Sequence, residues 1–173
     1  MYNLLFLTIL YMLPAPRVMA NSPETEADYL IRITQFVTWS PQFFSTMASP
    51  LEICIFGNAQ FQNLFEKIAV GRQVESRAIV VRQEANIYKL NTCHVIYIDE
   101  SQEQQLTRIL TILKNRSVLT VSTIPNFIDS GGTIGFTYQN NKLLFEINQL
   151  VAKMKGLPIS SKLLRQSVRV IDK

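Results

Sequence analysis

The sequence predicts an α/β domain: a largely parallel sheet flanked by helices, with a β-hairpin at one edge in the C-terminal half. Three observations carry that expectation. Short apolar runs alternate with amphipathic segments from Leu51 onward, the pattern of strand–helix–strand units. Residues 131–148 read instead as two strands around a Gln139-Asn140-Asn141 turn, which adds antiparallel pairing. Finally, a chain of 173 residues, 47% hydrophobic and 17% charged, holds one domain with a real core but not comfortably two.

The N-terminus stands apart from that domain. Residues 4–13, "LLFLTILYML", form an apolar stretch too short to span a bilayer comfortably and suited to the hydrophobic region of an export signal. Val18 and Ala20 then occupy the −3 and −1 positions of a small-residue cleavage site. The expectation is a signal peptide over 1–20, cleaved after Ala20, and a mature domain over 21–173. Met1-Tyr2-Asn3 lacks Lys and Arg, so an uncleaved anchor is the alternative. No cysteine lies near the cleavage point, which argues against a lipid-modified N-terminus.

Each element of the mature chain has a local reason. Residues 21–41 read as a helix: Ser22 caps it, Pro23 fits its first position, and Glu24 and Glu26 suit the positive end of its dipole. Ala27, Leu30, Ile31, Ile33 and Val37 fall on its apolar arc, Asp28, Arg32 and Gln35 opposite. "LEICIFG" at 51–57 is a buried strand. Asn58 caps the next helix, with Phe61, Leu64, Phe65 and Ile68 inward and Gly71 past its end. Strands follow at 78–83 and 93–99. Ser101 and Gln104 form the pattern of a capping box before a helix carrying Leu106, Ile109, Leu110 and Leu113. A strand at 117–122 leads to a short helix from Pro125. After the hairpin, Asn148 caps a helix that stops at Gly156, and Ser160 caps a last one whose tail becomes extended.

Chemistry-bearing residues are few. Cys54 and Cys93 are the two cysteines, 39 residues apart, and an even pair in an oxidising compartment is a disulfide by default. If their strands are neighbours in a parallel sheet, the side chains meet at bonding distance. His94, the single histidine, adjoins Cys93, but consecutive strand residues point to opposite faces, so a thiol–imidazole pair is geometrically poor. His94 reads as a satisfied structural histidine. Neither a zinc pattern, a serine triad, nor a phosphate loop is present, so no metal, cofactor or catalytic residue is assigned. The glycines of "SGGTIGF" serve a turn that feeds a strand.

Interaction surfaces are better represented. From Lys142 onward there are seven lysines and arginines against two acids, with Lys153, Lys155, Lys162 and Arg165 on two helices. They form either an ordinary solvated face or a docking surface for an acidic partner or anionic headgroups. Trp39 projects onto the polar side of the first helix if that helix extends so far, and would then mark a contact surface; otherwise it packs inward. Glu146 is either a solvent-facing strand carboxylate or a polar residue held beneath the C-terminal segment. The net charge of +4 is not concentrated in a dense run, which speaks against nucleic acid. The residues favour a binding or regulatory protein over an enzyme.

Five blocks, taken in order, resemble the YfiR family of periplasmic regulators. They are "YLIRITQFVTWSP", "LEICIFG", "CHVIYIDES", "VLTVSTIPNFIDSGGTIGF" and "KLLFEINQLVAKMKGLPISSKLLR", and together they cover nearly the whole mature chain. The resemblance implies a small exported repressor, commonly dimeric. Such a repressor binds the periplasmic sensor domain of an inner-membrane diguanylate cyclase and keeps cyclic di-GMP synthesis low. A peptidoglycan-binding outer-membrane lipoprotein sequesters it, and biofilm formation then rises. Cys54 and Cys93 match the family's disulfide pair. The second bridge of some members has no counterpart here, and the family's tryptophan–proline pair is one residue longer as Trp39-Ser40-Pro41. Regulation of a different membrane sensor, such as a histidine kinase, and binding of a small molecule at the sheet's carboxyl edge are the alternative functions. A thiol oxidoreductase is the enzymatic alternative.

The export reading predicts that protein recovered from the periplasm begins at Asn21. Intact-mass measurement checks this, and retention of residues 1–20 would exclude cleavage after Ala20.

Overall fold

A computed structural model describes residues 22–173; the expected signal peptide and its cleavage point lie outside the described residues. The chain opens with α1 (Pro23–Thr34), capped by the Ser22 hydroxyl, which accepts the Thr25 N–H. It continues through β1 (Leu51–Phe56), α2 (Ala59–Ala69), β2 (Gln73–Val74), β3 (Arg77–Gln83), β4 (Val95–Ile98) and α3 (Leu106–Leu113). The C-terminal half holds β5 (Leu119–Ser122), β6 (Ile134–Gln139), β7 (Lys142–Asn148), α4 (Gln149–Met154), α5 (Ser161–Leu164) and β8 (Arg169–Ile171).

The strands form one eight-stranded sheet in the order β2-β3-β1-β4-β5-β6-β7-β8. Pairing is parallel from β3 through β6 and again between β7 and β8; it is antiparallel in the two hairpins, β2–β3 and β6–β7. β1 sits between β3 and β4 and explains its own composition, because side chains alternate between two buried faces. Leu51, Ile53 and Ile55 join the layer of α1 and α2, together with Leu30, Phe65 and Val121. Cys54 and Phe56 join the layer of α3, with Ile96, Ile98, Ile109 and Leu113. Both layers are apolar, which is why these strands read as continuous hydrophobic runs rather than as alternating ones.

Local differences from the sequence expectations have identifiable causes. The expected hairpin is present, with Asn140 and Asn141 both at positive φ (49° and 59°), the conformation that a two-residue turn between strands demands. It is not the outermost feature, because β8 adds one further strand beyond β7. The opposite edge carries a hairpin the sequence did not announce: its turn is Glu75-Ser76, also at positive φ (48° and 68°) but without the glycine or asparagine that usually marks such a turn. The Ser101–Gln104 capping box does not form. Asp99 caps instead, accepting the Ser101 N–H at 3.0 Å, and residues Glu100–Gln105 wind as a tight 3-10 segment before α3. The stretch from Pro125 makes turns and no helix, with Asn126 at φ 56° diverting the chain from a helical path.

The glycine-rich turn does feed a strand. Gly131 takes φ +98°, and Gly132 lies beneath the Phe127 ring, so close that a β-carbon there would overlap the ring's edge. Phe127 is 1% exposed and has nowhere to retreat. Gly132→Ala is therefore expected to cost about 1–3 kcal/mol, the usual range for an overpacked core. Thermal unfolding measures it, and an unchanged midpoint would show that Phe127 can move.

Candidate functional site

The sheet's centre is closed covalently. Cys54 on β1 and Cys93, just ahead of β4, form a disulfide with Cα atoms 5.9 Å apart, so the expected pairing is present. The loop it closes corresponds to roughly 4 kcal/mol of stabilisation in the chain-entropy account. Arg82, from the neighbouring β3, reaches over the bridge. Its Nη2 lies 3.4 Å from Cys93 Sγ and donates to Thr92 Oγ1 at 2.6 Å, while its other nitrogens meet Glu52 (3.3 Å) and Glu84 (2.8 Å). Glu84 in turn accepts the Asn86 N–H, and that bond leads the causes holding its carboxyl below the usual range.

His94 fixes the other side of the same strand pair. Its Nδ1 accepts the Glu52 N–H at 3.1 Å, which leaves Nε2 as the N–H donor to the Phe43 carbonyl at 3.0 Å. The Phe44 ring stacks on the imidazole, centroids 4.5 Å apart, and the Arg77 guanidinium covers the ring, 3.6 Å from its centroid. Arg77 also donates to the carbonyls of Thr46, Met47 and Ser49. The loop between α1 and β1 is thus held down by one histidine and one arginine. His94 is a satisfied structural residue, as expected, and both ring nitrogens are in use.

The interaction candidates are distributed unevenly. Trp39 is 4% exposed: α1 ends at Thr34, the helical projection onto the polar face does not apply, and the indole N–H donates to the Thr34 carbonyl at 2.9 Å. This corrects its reading as a surface contact; it satisfies one of the carbonyls that a helix end leaves unpaired. Lys155 is likewise corrected as a member of a solvated basic face. It is 7% exposed, and its ammonium donates to the carbonyls of Leu113 and Arg116 at the end of α3. Glu146 lies half-buried beside β8, 3.7 Å from Arg169, which also grips Asp129. Lys153, Lys162 and Arg165 are exposed, and Lys162 lies 5.6 Å over the Phe36 ring. The basic surface is therefore smaller than the count of cations suggested.

A further polar cluster escaped the sequence reading. β1 and β4 lead to connections on opposite sides of the sheet, and at such a switch point a crevice opens beyond the carboxyl ends of the strands. Here it measures about 390 Å³ and is lined in part by Glu26, Asn58, Tyr97, Asp99 and Tyr138. The Glu26 carboxylate accepts the hydroxyls of Tyr97 and Tyr138, both at 2.5 Å. Burial, reinforced by Glu26, pushes both phenols up from their usual range, so they stay protonated. These three residues come from three elements and share no local motif. Only knowledge of the strand order brings them together.

The architecture is a disulfide-stapled α/β sheet with a switch-point crevice and scattered surface cations. The fold is shared with solved structures. A conserved domain protein from Vibrio cholerae O1 biovar El Tor matches with a TM-score of 0.59 at 9% identity, covering 86% of this chain and 60% of its own. The ABC domain in complex with L-Trp from Streptococcus pneumoniae matches with a TM-score of 0.56 at 10% identity, covering 84% and 60%. The chain thus spans about three fifths of the length of these structures. No curated protein matches the sequence. The chain belongs to the YfiR/HmsC-like family, which matches it over residues 23–167. Among the described residues, no helix is long and apolar enough to cross a membrane.

The environment of His94 makes a pH prediction. Burial, above all, lowers its pKa from the ordinary 6.5. The unfolded chain then takes up a proton that the folded chain resists, so His94 contributes fully above about pH 6.5 and its contribution is lost as the pH falls below that value. The thermal midpoint is expected to drop between about pH 7 and about pH 5. In His94→Gln that part of the slope is expected to vanish; an identical slope in the variant would place the titration elsewhere.

Proposed function

We propose that the mature domain, residues 21–173, binds the periplasmic sensor domain of an inner-membrane diguanylate cyclase and holds cyclic di-GMP synthesis low. The observation that carries this reading is the family match across nearly the whole folded chain, residues 23–167. Binding restrains the enzyme only to the extent that the repressor prefers its inactive state. Release follows when a competitor takes the repressor away, and a peptidoglycan-binding outer-membrane lipoprotein fills that role. The repressor acts as a homodimer. Lys153, Lys162 and Arg165 supply exposed positive charge toward an acidic partner.

Crosslinked pull-down from envelope membranes tests the partner. A diguanylate cyclase recovered with the protein, and raised cyclic di-GMP in a deletion strain, are the expected results. Recovery of a histidine kinase instead would keep the regulatory role and change the pathway. A second route of release is loss of the fold through reduction of the bridge. Cys54→Ser is expected to lose roughly 4 kcal/mol of stability and to weaken repression in proportion. A variant that represses normally at normal abundance would exclude that route.

A further inference from the structure

A groove of about 520 Å³ runs between α3 and α4, well inside the roughly 300–1,000 Å³ typical of small-molecule sites. Its wall is apolar where Leu110, Val151 and Met154 line it, and Lys114 and Arg116 stand among its polar residues. No aspartate or glutamate contributes to the lining. Met154, on the apolar wall, is 70% exposed.

Lys155 makes this groove more than an apolar furrow. The residue is 7% exposed and is one of those that line the cavity. An ammonium carries three N–H donors. Two go to the carbonyls of Leu113 (2.5 Å) and Arg116 (3.1 Å). Among the described residues, no carboxylate pairs with it. Buried cations are ordinarily paired with an anion, because neutral carbonyls alone do not replace the hydration a full charge gives up. Burial has already drawn the Lys155 pKa down from 10.5 to about 8. A buried cation without an acid, at the side of an open apolar groove, is complementary to a single negative charge carried on an apolar body.

We propose that the groove between α3 and α4 binds a small amphipathic carboxylate. The acid group meets the Lys155 ammonium, and the apolar portion lies along Leu110, Val151 and Met154. This site goes beyond the cyclase reading and holds whatever membrane protein the domain restrains.

Calorimetric titration of the purified protein with decanoate, and with decanol as the uncharged control, tests it. Saturable one-to-one binding of decanoate is expected, with decanol roughly tenfold weaker or worse, as befits loss of a charge-assisted contact. Lys155→Met is expected to reduce decanoate affinity by a similar factor. Because that variant also removes a tie between α3 and α4, Met154→Glu provides the second arm: it alters an exposed side chain, leaves the fold intact, and places a repelling carboxylate in the groove. Amide shifts on titration are expected at Leu110 and Val151. Absence of saturable decanoate binding would overturn the proposal. So would wild-type affinity in Met154→Glu, Lys155→Met that unfolds more easily yet binds decanoate equally well, or shifts clustered around the Tyr97 crevice instead.

Discussion

The pairing of β1 with β4 is the constraint on which the rest of this molecule depends. β1 is a central strand, buried on both faces, and it binds its two neighbours through parallel ladders whose partners lie far along the chain. Such ladders gain nothing until long loops have been closed, so they are entropically expensive to begin. Three contacts gather at this one junction: the Cys54–Cys93 bridge, the Glu52–His94 hydrogen bonds, and the Arg82 guanidinium spanning from β3. They hold register where a slip of one residue would exchange the two buried faces. The helices on either side, the switch-point crevice and the α3–α4 groove are all placed relative to that pair.

The polar interior follows a consistent logic. Buried polar groups here end helices or tie loops: the Trp39 indole and the Lys155 ammonium each satisfy carbonyls at a helix C-terminus, and His94 joins the α1–β1 loop to the sheet. No buried side-chain nitrogen or oxygen among the described residues lacks a hydrogen-bond partner. The surface charge that remains free is correspondingly modest, since Arg169 is absorbed by Asp129 and Glu146.

Much of this was legible in the sequence, and the limits were physical. The strands, the capped helices and the Asn140-Asn141 turn could be read because each is specified by residues adjacent in the chain. The cysteine pair could be read from compartment and number. Trp39 was ambiguous because a helical projection is valid only while the helix continues, and Thr34 ends it without a glycine to mark the place. The Glu75-Ser76 turn was invisible because ordinary residues occupy its positive-φ positions. Lys155 looked like its neighbours in charge; its burial depends on where α3 ends, at Leu113, 42 residues earlier in the chain. Glu26, Tyr97 and Tyr138 meet only through tertiary structure.

The disulfide has a mechanical consequence as well. It joins residues 39 positions apart, and the chain between them contains α2, β2 and β3, the whole flank of the sheet beyond β1. A tensile load applied at the two ends of the chain passes from β1 directly to the start of β4 through the bridge. The enclosed segment carries none of it. The other flank, from β4 to β8, is connected in series and bears the full force. Under tension the molecule would divide at the covalent staple into a shielded half and a yielding one, and the α3–α4 groove, with α4 and β8 beyond it, belongs to the half that yields.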